Sequence, residues 1–166
     1  MNKVQLADIQ IRTTMKPGDL GYITYLHGHL YHKEHDFGHA FEAYVAEGLL
    51  EFFNQYDPAT NRSWVCEHNN KIVGFLVLMN RGDAAQLRYF ILEPDYRGLG
   101  LGKELMRLYM NFLKKCGYKK SYLWTTKGLD SAISLYTRNG FVFTEERDTN
   151  IFGKPSREHR YDLVIN

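Results

Sequence analysis

A chain of 166 residues, 44% of them hydrophobic and 24% charged, carries enough apolar material for one ordinary core, which excludes a disordered chain and removes any need for metal or disulfide staples. A formal net charge of +2 is too small to mark a nucleic-acid surface, and no apolar run reaches the length that spans a bilayer. MNKVQLADIQIR at the start lacks an apolar signal core, so a cytoplasmic location is expected and neither nucleic acid nor membrane is expected as a partner.

No repeat, low-complexity tract or Pro/Gly/Ser linker divides residues 1–166, which therefore read as a single domain. Gln10-Ile11-Arg12 ends a short first strand, and Asp19, after the turn Lys16-Pro17-Gly18, is placed to cap a helix carrying Leu20, Ile23 and Leu30 at helical spacing. A polar, His-rich connection follows. Phe41, Tyr44, Val45, Leu49 and Phe52 then mark a second helix that ends before Asp57-Pro58.

The period changes to two in SWVCEH, which turns at Asn69-Asn70 into KIVGFLVLM and again at Arg81-Gly82-Asp83 into AQLRYFILE, an antiparallel meander. Leu105, Tyr109, Phe112 and Leu113 mark a third helix closed by Gly117. SYLWTT reads as a strand, Ser131 to Arg138 as a short helix, and FVFTEE as a strand. A polar stretch to Glu158 leads to a last strand, HRYDLVI. This order predicts a mixed α/β domain in which one strand-helix-strand crossover makes a central parallel pair and the other pairings are antiparallel. Cys66 and Cys116 have no CxxC or neighbouring Cys/His pair and read as buried thiols.

Between the third meander strand and the third helix, RGLGLG places three glycines at alternate positions. A strand, a glycine turn and a helix start aim free N–H groups at an anion, usually a phosphate. A P-loop would need Gly where Arg97 stands and a hydroxyl residue where Glu104 stands. A dinucleotide fingerprint would need GxGxxG in a parallel βαβ unit rather than after hairpins. Arg97 to Gly102, following Leu92-Glu93-Pro94, resembles the pyrophosphate loop of the GCN5-related N-acetyltransferase (GNAT) superfamily. SAISLYTRNGF matches that family's second stretch at Ala132, Leu135, Tyr136, Gly140 and Phe141. The resemblance covers essentially the whole chain. DLGYITYLHGHLY, FEAYVAEGLLEFF and LWTT further resemble a subgroup often fused to winged-helix regulators of the MarR type.

The resemblance implies a central, mostly antiparallel sheet with a splayed parallel pair, flanked by helices, and acetyl-CoA as cosubstrate. Phe90, Ile91 and Leu92 would offer backbone groups to the pantetheine arm. Arg97, Gly98, Leu99, Gly100, Leu101, Gly102 and Lys103 would wrap the pyrophosphate. Tyr136 takes the position of the general acid and the Leu92 N–H that of the donor to the thioester carbonyl. Leu129 stands where many relatives place a cofactor-holding Asn, Trp124 where some carry a base glutamate, and Gln86 where the histone-acetylating branch has a catalytic glutamate. Glu93 is a candidate base near the splay.

His27 to His39 contains five histidines with Tyr31, Glu34, Asp36 and Phe37, but no HExxH, and no metal is expected. Because the first two helices line the acceptor side in the family, Tyr22, Tyr25, His29, Tyr31 and His35 are substrate-pocket candidates. Arg88 and Trp124 join them from the central strands, with ordinary strand packing as the equal alternative. NIFGK, residues 150–154, has an aromatic-glycine pair that could edge the acceptor site, with a surface loop as the simpler reading. The expected function is acetyl transfer from acetyl-CoA to a primary amine of a small molecule or peptide, by direct attack in a ternary complex. The rivals are a non-catalytic acyl-CoA-binding regulatory module and a protein N-terminal or lysine acetyltransferase. A longer acyl-CoA and a homodimer stay open.

Overall fold

The computed structural model describes residues 3–166. Its strands are β1 (Gln10–Arg12), β2 (Arg62–His68), β3 (Lys71–Asn80), β4 (Ala85–Leu92), β5 (Lys120–Thr126), β6 (Val142–Thr149) and β7 (Ser156–Val164). They form a seven-stranded sheet in the order β1-β2-β3-β4-β5-β7-β6. Only β4 and β5 run parallel; every other neighbour pair is antiparallel. Helices α1 (Asp19–His35), α2 (His39–Asn54), α3 (Leu101–Lys115) and α4 (Asp130–Arg138) complete the fold. None among the described residues is long and apolar enough to cross a membrane.

The alternation of strand side chains divides the interior into two cores. Trp64, Cys66, Leu76 and Leu78 face one side and pack with Leu105, Tyr109 and Leu113 of α3. Their neighbours Val65, Phe75, Val77 and Met79 face the other side and pack with Ile23, Leu26, Val45 and Phe52 of α1 and α2. Because β3 is covered on both faces, eight of its ten residues are buried, which explains why KIVGFLVLM is a continuous apolar run. The β2–β3 turn matches its sequence signal: Asn69 and Asn70 both adopt left-handed backbone, at φ 51° and 61°, the geometry that a two-residue hairpin turn needs.

Three local expectations change. The histidines do not form a connection, because α1 continues through them to His35 and stops at Asp36, whose backbone is left-handed at φ 57°. The buried faces of Leu26 and Leu30 hold this polar stretch in the helix, so packing overrides its composition. Asp19 is not the cap; Gly18 is. The Asp19 carboxylate instead accepts two bonds from the Arg12 guanidinium at 2.7 and 2.8 Å and one from the Lys16 N–H. Finally, β6 and β7 extend into the polar stretch, where Arg157–Asp148 and His159–Glu146 pairs line the ladder.

The decisive feature lies in β4. It pairs with β5 only at Ala85–Ser121 and Gln86–Tyr122, after which the two strands part. On its other edge the register against β3 slips between Phe75 and Val77, so Tyr89 and Phe90 share one position. Tyr89 carries the bulge with φ 55°, a costly conformation for a bulky residue. Its hydroxyl lies against Gly48 of α2, where any Cβ would overlap it, and has no hydrogen-bond partner among the described residues. Gly48→Ala should therefore lower stability by about 1–3 kcal/mol. Adding Tyr89→Phe should recover most of that loss in urea unfolding, since the hydroxyl is the group overlapped and forfeits no bond. Strictly additive losses would contradict this packing.

Candidate active site

The three glycines after β4 serve two different ends. Gly98 and Gly100 have φ 75° and 90°, left-handed backbone that disfavours side chains. Gly102, inside α3, is needed for closeness: a Cβ there would lie 3.0 Å from Leu135 of α4 and 3.5 Å from the Phe90 ring. With Gly100 as the N-cap of α3, the first-turn N–H groups have no partner within the helix and the positive pole of α3 points into the turn. Glu104, in the same turn, is tied to Arg107 at 2.8 Å.

A cleft of about 800 Å³ opens beside this turn, lined by Gly98, Gly100, Gly102 and Lys103. Phe90, Ile91 and Leu92 of β4 form one wall, Leu129 to Ala132 at the start of α4 another, and Tyr31, Glu34 and His35 at the end of α1 a third. Leu99 and Leu101 do not line it; Leu101 is fully buried and Leu99 packs against the same core. Glu93 N–H donates to Val73 O at 2.8 Å and Gly74 stands opposite Leu92, so antiparallel alternation turns the Leu92 amide away from β3 and towards the splay. Arg97 donates to Leu92 O at 3.2 Å and pairs with Glu34 at 2.9 Å. The Arg97–Glu34 pair thus joins the glycine turn to α1 across the cleft.

A smaller hollow of about 110 Å³ adjoins the cleft, and Tyr31, Phe90, Leu129 and Ala132 line both. Tyr136 lines the hollow, 5% exposed, with its ring 6.1 Å from Phe90. Burial pushes its phenol far above the ordinary range, so it keeps its proton at every physiological pH. Trp124 and Arg88 reach the hollow from β5 and β4, and Glu158 from β7. His27 is 3% exposed there. Its Nδ1 lies 2.8 Å from Ile23 O, while Nε2 has no hydrogen-bond partner among the described residues. Burial pushes the His27 imidazole down to about 4.

Of the residues singled out from sequence, the structure gathers Phe90, Ile91, Leu92, Arg97, Gly98, Gly100, Gly102, Lys103, Tyr31 and His35 around the cleft, and Tyr136, Arg88 and Trp124 around the hollow. Tyr22, Tyr25 and His29 line neither; Tyr25 is 55% exposed and stacks on His29. Glu93 also lies outside both and is held by Lys71 at 2.8 Å. NIFGK is more than a surface loop, because Phe152 is buried against Phe37, Phe41 and Tyr44 and walls the hollow. Glu158 was missing from the sequence candidates, whereas His27 and Glu34 belong to the His27–His39 stretch expected on the acceptor side and Phe152 to the NIFGK segment weighed as its edge. His27 carries a further signal, since it falls on the buried face of α1 beside Ile23 and Leu30.

Residues 27–141 match the model of the acetyltransferase (GNAT) family. An uncharacterized N-acetyltransferase of Escherichia coli, YjgM, is 32% identical over 97 residues, 56% of this chain and 58% of that protein. The chain spans about half the length of the curated relatives it matches. Among solved structures, an acetyltransferase from Streptococcus agalactiae superposes with a TM-score of 0.75 at 21% identity, covering 95% of this chain and 99% of that one. The Salmonella typhimurium putative acetyltransferase yncA, solved with acetyl-CoA, superposes with a TM-score of 0.71 at 16% identity, covering 96% and 95%. At these identities the superpositions establish the fold.

The buried imidazole has a measurable consequence. Unfolded His27 takes up a proton near pH 6.5, whereas the folded group resists until about 4. The unfolded chain therefore binds more protons between those values, and stability falls as pH drops through that window. Between pH 7 and 4.5, His27→Leu should lose about 2–3 kcal/mol less than the parent in urea unfolding. Equal losses would show that another group sets the acid limb.

Proposed function

The chain belongs to the acetyltransferase (GNAT) family, and on that premise we propose that it transfers the acetyl group of acetyl-CoA to a primary amine by direct attack. The observation that carries this reading is the meeting of two hollows at the β4–β5 splay. One is lined by an anion-binding turn, and the other by a buried tyrosine.

The residues fit the donor. Unpaired N–H groups at the start of α3 suit a pyrophosphate, and the left-handed glycines leave no side chain in its way. Arg97, Lys103 and Arg138 line the same cleft and add positive charge. The volume of about 800 Å³ lies in the range of cofactor clefts. Bound there, acetyl-CoA supplies a thioester whose C–S bond breaks as the amine nitrogen forms a new bond to the acetyl carbon.

The chain's own groups then have three tasks. The Leu92 amide, turned towards the splay, donates to the carbonyl oxygen as it gains charge, a donor already oriented before the reaction. The Tyr136 hydroxyl, protonated at rest because it is buried, passes its proton to the departing sulfur, which leaves as the CoA thiol, and the phenol regains a proton through water from the one the amine releases. The proton released by the amine passes to water or to a group lining the small hollow. Glu93 is not that group, since its carboxylate is held outside both hollows. No nucleophile of the chain forms a covalent intermediate in this scheme: the Cys66 thiol lies in the sheet core, pushed up to about 12 by burial.

Tyr136→Phe should reduce CoA release with a competent amine by roughly 100-fold, while acetyl-CoA binding by calorimetry stays near the parent value. Unchanged turnover would remove Tyr136 from the reaction, and binding without release for any amine would point to a sensing module. A separate test concerns Glu34, which competes with a phosphate for Arg97. Both partners are partly exposed, at 29% and 45%, so Glu34→Gln should tighten acetyl-CoA by no more than about fivefold. Weaker binding would mean that Glu34 instead supports the closed turn.

A further inference from the structure

The small hollow contains an arrangement of charge that acetyl transfer by itself does not require. Arg88 brings a guanidinium only 13% exposed, and its nearest carboxylate, Glu51, lies 3.7 Å away. Glu51 is already committed to Arg81. The hydrogen bond that Arg88 makes in the hollow is from Nη2 to the Tyr44 hydroxyl at 3.1 Å. Its Cζ lies 4.6 Å from the Tyr89 ring centre and 5.5 Å from that of Tyr44. Arg88 is thus held in place by aromatic rings while most of its donors lack a close anion. A guanidinium in that state suits a carboxylate, which takes two parallel N–H bonds from it.

The hollow also holds acceptors. His27 Nδ1 faces a carbonyl oxygen, which can only accept, so Nδ1 carries the proton and Nε2, enclosed in the wall of the hollow, keeps an unpartnered lone pair. Glu158, 4% exposed, gives Oε2 to Arg147 at 2.9 Å and lines the hollow from β7. Buried polar atoms left without partners are rare, because each costs desolvation free energy. At a substrate wall that cost is offset when the ligand arrives.

We propose that the acceptor is a small zwitterion of the amino-acid class: a primary amine whose own carboxylate binds the Arg88 fork, with its N–H groups turned to Glu158 and the side of the hollow that His27 walls. This deepens the acetyltransferase reading and rests on it. A diamine would bring a second ammonium against Arg88, and an internal lysine or chain N-terminus lacks the nearby carboxylate. A hollow of about 110 Å³ encloses only the amine and carboxylate end, leaving the side chain to extend into the adjoining cleft.

The test uses the parent chain with acetyl-CoA and a panel of glycine, alanine, methionine and phenylalanine, each beside its amide and its decarboxylated amine. CoA release is read as kcat/KM, and acceptor binding is read by calorimetry in the presence of CoA. At least one free amino acid should exceed both of its uncharged-end counterparts by tenfold or more. Arg88→Met should bring that ratio close to one, and Arg88→Lys, which keeps the charge without the fork, should give an intermediate ratio. Amides or amines used as well as the acids, or a ratio that survives Arg88→Met, would overturn the proposal whatever the folding of the variants. Amino-acid binding that depends on Arg88 but releases no CoA would keep the zwitterion site and reject acetyl transfer. Transfer to amines without carboxylate preference would do the reverse, and neither binding nor release would reject both.

Discussion

Two adjacent parallel strands in a buried sheet ordinarily continue their ladder to the end, since each unpaired N–H and C=O costs free energy. Here β4 and β5 stop after two paired positions, and the cleft, the hollow and the junction between them all lie in the opening that results. The device that parts them is the bulge at Tyr89–Phe90. Left-handed backbone at a tyrosine costs on the order of 1–3 kcal/mol, so it persists only where neighbours hold it. The Tyr89 ring is held by Arg88 on one side and by the His27 ring at 5.8 Å on another. Gly48 leaves the space its hydroxyl occupies.

Helix α1 connects the two cavities because its turns repeat every four residues or so. His27 and Tyr31 stack 6.2 Å apart on one face, and Tyr31 lines both hollows. One turn further, Glu34 reaches Arg97 of the glycine turn. A single amphipathic element therefore touches the turn and the buried end of the hollow together. Burial pushes the Tyr31 phenol up to about 12, so this shared residue is uncharged across the physiological range, with Arg97, Lys103, Arg138, Glu34 and Asp130 in the cleft on one side of it and Arg88 and Glu158 in the hollow on the other.

Where the sequence and the structure agree, the signal is local. Asn69-Asn70 specifies a hairpin because two adjacent residues tolerate left-handed backbone. Gly98 and Gly100 specify a turn for the same reason, and the start of α3 beside them aims its positive pole at the turn. Tyr136, singled out through the family resemblance of its motif, is buried and lines the hollow. Where they disagree, distant packing decides. A histidine-rich stretch became five more residues of helix because Leu26 and Leu30 face a core built from β2 and β3. Glu93 sits beside the splay in the chain, yet Lys71 on β3 draws its carboxylate away. Phe152 looked like a loop residue until α2 and the Asp36–Gly38 connection closed around it.

From the residues alone one could read the mixed fold, the crossover between β4 and β5, the glycine turn with its helix pole, and the family these features resemble. Each depends on residues within a turn or two of one another, or on a repeating period, so the chain itself carries the information. The hollow depends on His27, Arg88, Tyr136 and Glu158, which come from four elements spread over most of the chain's length. Nothing in their spacing announces that they meet, nor that one imidazole nitrogen is left without a partner. Their meeting is a result of how a bulged strand lets two helices and a terminal hairpin close around one opening, and only three-dimensional packing decides that.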